Sequence, residues 1–78
     1  MNPSAPQIER LLDEMIGSQR RRLLELASRI APGIPDDDLL QPHDHPVLAV
    51  HPGFNFEDGI LAGYLTVRAA LRASRASR

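Results

Sequence analysis

Prolines divide this chain. Pro32, Pro35, Pro42, Pro46 and Pro52 fall between two stretches, 7–31 and 53–78, that contain none. A proline inside a helix removes a hydrogen bond and clashes with the preceding turn, so long helices are confined to the two flanks. Both flanks carry helical patterning. The chain therefore reads as all-α: an antiparallel hairpin of two long helices joined by a Pro- and His-rich segment with short helical turns.

The first helix is expected over 5–31. Ser4 is placed as its N-cap and Pro6 lies in the first turn, where a missing N–H costs little. Ile8, Leu12, Met15, Leu23, Leu26 and Ile30 recur at steps of three and four, with Gln19 filling the gap. Leu11, Ile16 and Leu24 fall beside that stripe and are expected on a second surface. "APGIP" at 31–35 ends the helix, with Gly33 suited to a left-handed residue after the last turn. Gly17 is a weak point, costing about 1 kcal/mol against alanine.

The second helix is expected over 55–75, with Asn55 as N-cap and Glu57 and Asp58 near the free N–H groups. Residues 76–78 are expected to fray. Two seams run along it. Ile60, Tyr64, Val67 and Leu71 make a large one; Gly59, Gly63, Thr66, Ala70, Ala73 and Ser77 make a small one. Two glycines inside a helix cost roughly 1–2 kcal/mol together. A row of small side chains repays that if another helix backbone lies close against it.

Two helices alone offer each other one face, and both of these helices have more than one apolar surface. Pairing two hairpins about a two-fold axis buries the remainder as a four-helix bundle. A homodimer is therefore expected, with Gly59, Gly63, Thr66, Ala70, Ala73, Ile60, Tyr64, Val67 and Leu71 at its interface. At 78 residues the chain forms at most one domain and needs a staple of some kind. It has no cysteine, which excludes disulfides, thiolate metal sites and cysteine catalysis.

The connector, 32–54, holds all three histidines. His43, His45 and His51, with Asp44 and the upstream Asp36, Asp37 and Asp38, supply ligand types that suit a divalent transition metal. Against this, the spacing fits no established zinc finger, and several of these residues stand at helix starts beside prolines. The preferred reading is packing. Asp44 caps a short turn with Pro46 inside it, and Val47, Leu48 and Val50 tuck under the long helices. Phe54 and Phe56 then anchor the end of the connector. No cofactor is expected on this reading, and a bound divalent metal is the alternative.

No triad, strained nucleophile elbow or phosphate-binding glycine pattern is present, so no catalysis is expected. Net charge is −1, which gives no overall field towards nucleic acid or membrane. The basic cluster "QRRR" at 19–22 spreads around a helix and reads as solvated surface. The basic tail "RASRASR" has no aromatic neighbour for stacking on bases, and no recognition helix is evident. No apolar run approaches the ~20 residues that span a bilayer. The N-terminus lacks the parts of a signal peptide, so a cytoplasmic location is expected. The functional expectation is a non-enzymatic protein-interaction module, a small helical adaptor or accessory subunit. The alternative is a small metal- or ligand-binding protein using the connector.

Overall fold

The computed structural model describes residues 4–35 and 45–76. Three helices follow in order: α1, Ala5–Ile30; α2, Pro46–Ala49; and α3, Pro52–Ala76. Among the described residues there is no strand. The long helices α1 and α3 run antiparallel and pack along their length, with α2 lying across both. No helix among the described residues is long and apolar enough to cross a membrane.

Helix α1 begins as its sequence dictates. The Ser4 hydroxyl accepts from Gln7 N–H, and the Gln7 side chain accepts from Ser4 N–H, a reciprocal capping box. It ends at Ile30, where Ala31 closes the last turn onto the Ala27 carbonyl at 2.8 Å. Gly33 follows with φ of 90°, the left-handed conformation expected of it.

Its inward stripe is Leu12, Ile16, Gln19, Leu23 and Ala27. This is a rotation of the expected one. Ile16, expected on a second surface, is almost fully buried, whereas Ile8 is 38% exposed and Glu9 takes the inward place at the N-terminal end. Leu11, at 56% exposure, does lie on the outside, as expected.

Helix α3 starts three residues before Asn55, at Pro52. Proline there is the first helical residue, whose absent N–H is no loss, and not the stop that it resembles in sequence. Asn55 instead reaches back, its amide donating at 3.0 Å to the Ala49 carbonyl at the end of α2. Glu57 and Asp58 consequently fall outside the first turn.

The core joins Ile16, Leu23, Ala27 and Ala31 of the first segment to Leu48 of α2 and to Phe54 and Leu61 of α3. Tyr64 and Leu65 pack partly against it. Phe54 and Leu48 are fully buried. Their expected companions are not: Val47 is 50%, Val50 76% and Phe56 68% exposed. Among the described residues, Leu48 and Phe54 hold the connector to the core, with Ile34 packing partly against it. Val47, Val50 and Phe56 are left outside because the short turns around them present only one face inward.

The rotation of α3 follows from charge as much as from apolar pattern. Glu57, Arg68, Arg72 and Arg75 all lie on the side towards α1 and find partners there. Arg68 meets Asp13 at 2.9 Å, and Arg72 and Arg75 both hold Glu9. These pairs cross the open end of the hairpin, where an acidic N-terminal half lies beside a basic C-terminal half. Two polar zones thus flank the Phe54–Leu61–Leu65 ridge.

The Glu9 carboxyl is held below its ordinary value of 4.5, chiefly by the hydrogen bond from Arg72 and by the charges of Arg72 and Arg75, against desolvation and the nearby Asp13. A carboxylate with a lowered folded pKa contributes stability that is complete above the unfolded value and lost as pH falls through the folded one. Glu9→Gln is therefore expected to lower the urea midpoint at about pH 7 and to leave it unchanged in strong acid, below both values. An equal loss at both pH values would show that the carboxylate charge is not what Glu9 contributes.

Candidate functional site

Three surfaces carry the side chains singled out by sequence: the connector with its histidines, a cleft between the long helices, and the outer side of α3.

In the connector His45 and His51 stand at the starts of two successive helices, each followed by proline in the sequence pair His-Pro. His45 is the N-cap residue of α2, and its carbonyl accepts from Leu48 and Ala49 N–H at 2.9 and 3.1 Å. Its side chain makes no capping bond. His51 does more. Its carbonyl accepts from Asn55 N–H at 3.0 Å, opening α3, while its Nδ1 accepts from Phe54 N–H at 3.1 Å. An imidazole nitrogen accepts only through its bare lone pair, so the ring proton of His51 sits on Nε2. The ring lies over the first turn so closely that a Cβ at Gly53 would come within 3.1 Å of Cε1.

His51 is thus an N-cap, a role usually given to Ser, Thr, Asp or Asn. The bond fixes Phe54 at the start of the helix and so points its ring into the core. His51→Ala is expected to cost about 1 kcal/mol in urea unfolding, and His51→Asn, which restores a short acceptor, a few tenths. A His51→Ala variant as stable as wild type would remove the capping role.

For the metal reading, His43, Asp44, Asp36, Asp37 and Asp38 lie outside the described residues. Among the described residues no group of three or more His, Asp or Glu side chains stands close enough to hold a metal. His51 has its one bare nitrogen, Nδ1, committed to the helix cap, so it offers no lone pair to a metal while that bond stands.

The cleft is an open recess of about 240 Å³ lined by Arg20, Asp58, Leu61, Ala62 and Leu65. Its floor is apolar and its rim bears one charge of each sign.

The outer side of α3 differs from an ordinary solvated helix face. Between Pro52 and Ala76 the charged residues are Glu57, Asp58, Arg68, Arg72 and Arg75. Four of them bond to α1, and Asp58 lines the cleft between the helices. The half of α3 that faces away from α1 therefore carries no charge. Gly59, Gly63, Thr66, Ala70 and Ala73 are all exposed there, and nothing lies within 4 Å of where a Cβ would stand on Gly59 or Gly63.

Of the large seam, Ile60, Tyr64 and Leu71 are half-buried and Val67 is 54% exposed. The α1-facing ridge is Leu61 and Leu65, which that seam omits. Helix α1 shows the normal contrast: Arg10, Glu14, Arg21 and Glu25 project from its outer face.

No family model, curated protein or solved structure matches this chain. The functional reading therefore rests on the surfaces themselves.

Proposed function

We propose that the protein is a non-enzymatic interaction module, a small helical adaptor or accessory subunit that acts as a homodimer through the outer side of α3. One observation carries the reading: four of the five charges on α3 pair with α1 and the fifth lines the cleft, so the half of α3 facing away from α1 is uncharged. Solubility favours the opposite arrangement, with charge outward and small or apolar residues inward. Helix α1 obeys that rule in the same molecule. An uncharged face bearing Phe56 at 68% and Val67 at 54% exposure, beside two glycines that weaken the helix, is the composition of a surface made to be covered.

A two-fold pairing of hairpins places α3 against α3 and leaves the charged face of α1 outside. The product is a four-helix bundle with its glycine row at the closest approach. Sedimentation equilibrium is expected to return twice the chain mass of 8.6 kDa at micromolar concentration. A single-chain mass over the whole accessible range would refute the dimer.

A further inference from the structure

We propose that His51 makes the joint between α2 and α3 sensitive to protons: the closed end of the hairpin is locked while the imidazole is neutral and loosened once it takes up a proton. The device belongs to the single chain and stands apart from the dimer proposed above.

Three bonds meet at this residue. The His51 N–H donates to the Leu48 carbonyl of α2 at 3.1 Å, and the His51 carbonyl accepts from Asn55 N–H at 3.0 Å to begin α3. The third is the ring bond, in which Phe54 N–H donates to Nδ1 at 3.1 Å. Leu48 and Phe54, the residues at the other ends of two of these bonds, are both fully buried in the core. What happens at the His51 ring is therefore passed to the side chains that seat this end of the hairpin.

The choice of acceptor sets the behaviour. A Ser, Thr or Asn cap accepts at any ordinary pH, and an Asp cap does so down to about pH 4. Imidazole is the side chain whose proton count changes between about pH 5 and 8. Imidazolium carries a hydrogen on each nitrogen and keeps no lone pair, so turning the ring over restores no acceptor. A proton on Nδ1 points at Phe54 N–H, donor against donor, and the cation stands at the positive end of the α3 dipole. The unfolded chain takes up this proton freely, whereas the capped helix does so only by giving up its bond. The stability that the cap contributes is therefore complete above the imidazole range and lost as pH falls through it.

The surroundings are shaped to this ring. A Cβ at position 53 would lie 3.1 Å from Cε1 and 3.4 Å from Nδ1 of His51, so Gly53 leaves the space against which the imidazole packs. The elements around it hold few charges. Helix α2 has no titratable side chain, and its N-cap is His45. The first turns of α3 bring Glu57, whose carboxylate is bonded by Gln19, and Asp58, which lines the cleft. The last turns of α1 carry Glu25 and Arg29, both exposed. Among the described residues none of these carboxylates bonds to the His51 ring, so none replaces the cap once the ring is charged.

His51→Asn tests this, because asparagine keeps a short acceptor that does not titrate. The unfolding constants of wild type and variant are measured by urea denaturation at about pH 8 and about pH 5, the two sides of the imidazole range. The other histidines and all the carboxylates are common to both proteins, so their titration cancels in the ratio. Between the two pH values the wild-type constant is expected to rise about fivefold more than that of His51→Asn, the loss of one cap. His51→Ala, which has no acceptor at either pH, is a second reference and should give the same relative change. A ratio that does not vary with pH overturns the proposal. So does a wild type that gains on both variants in acid, because a carboxylate would then be holding the imidazolium.

Discussion

Replacing Phe54 with alanine is expected to destabilise the protein by about 3–5 kcal/mol, the cost of deleting a buried aromatic ring. Phe54 has no exposed surface and is the point where α3, α2 and α1 meet. Total stability of a small domain is about 5–15 kcal/mol, so this one change takes a large share of it. A domain of this size loses about 4–8 °C in Tm per kcal/mol, and the variant should melt at least about 12 °C lower. The effect is specific to the residue. Phe56, two positions on and chemically identical, is 68% exposed and contributes little to the core of the single chain. A drop of less than about 4 °C for Phe54→Ala would mean that the connector is not held to the core by this ring.

The second large effect is expected at Gln19. It is the one polar residue among the described buried positions, 6% exposed in the middle of the α1 stripe. Its amide nitrogen donates at 2.8 Å to the Glu57 carbonyl and at 2.6 Å to the Glu57 carboxylate. A hydrogen bond to a charged acceptor contributes about 1.5–3 kcal/mol. Gln19→Leu keeps the volume and removes both donors, leaving a half-buried carboxylate short of a partner. It is expected to cost about 2 kcal/mol by urea denaturation. If Gln19→Leu were neutral or stabilising, the register between α1 and α3 would be set by the apolar ridge alone.

Much of this architecture is legible in the residues. Ser4 with Gln7, and Pro32 with Gly33, mark both ends of α1, because capping and left-handed glycine depend only on neighbours in sequence. The rotation of each long helix about its axis is not legible in the same way. Ile8 and Glu9 stand about 100° apart on the helix, one to either side of the line through Leu12 and Ile16, and either makes a plausible inward face. Arg72 and Arg75, more than sixty residues away, decide for Glu9. The same holds on α3, where Arg68 and Arg72 look like surface residues until Asp13 and Glu9 are placed opposite them. Leu61 and Leu65 are displaced from the expected seam for that reason.

The start of α3 was obscured by local chemistry. Proline reads equally as a stop or as a first helical residue, and histidine is an uncommon cap. Only the Nδ1 bond to Phe54 N–H shows which applies. The histidine-rich connector suggests ligands by composition, yet His45 and His51 stand where helices begin. The small seam was legible as a row and its surroundings were not. That α3 has no charge on its outer half emerges only when Glu57, Arg68, Arg72 and Arg75 are seen paired with α1 and Asp58 at the cleft.

Gly63→Leu separates the paired chain from the single one, because the space around Gly63 is open within one chain and the hairpin accommodates the larger residue. Leucine is also the better helix former by roughly 0.8 kcal/mol, so the single chain should not suffer. Sedimentation of this variant is expected to show the 8.6 kDa chain alone, with helical content unchanged, where wild type shows a dimer. A Gly63→Leu protein that sediments with the wild-type dimer mass would show that the outer side of α3 is not where two chains meet.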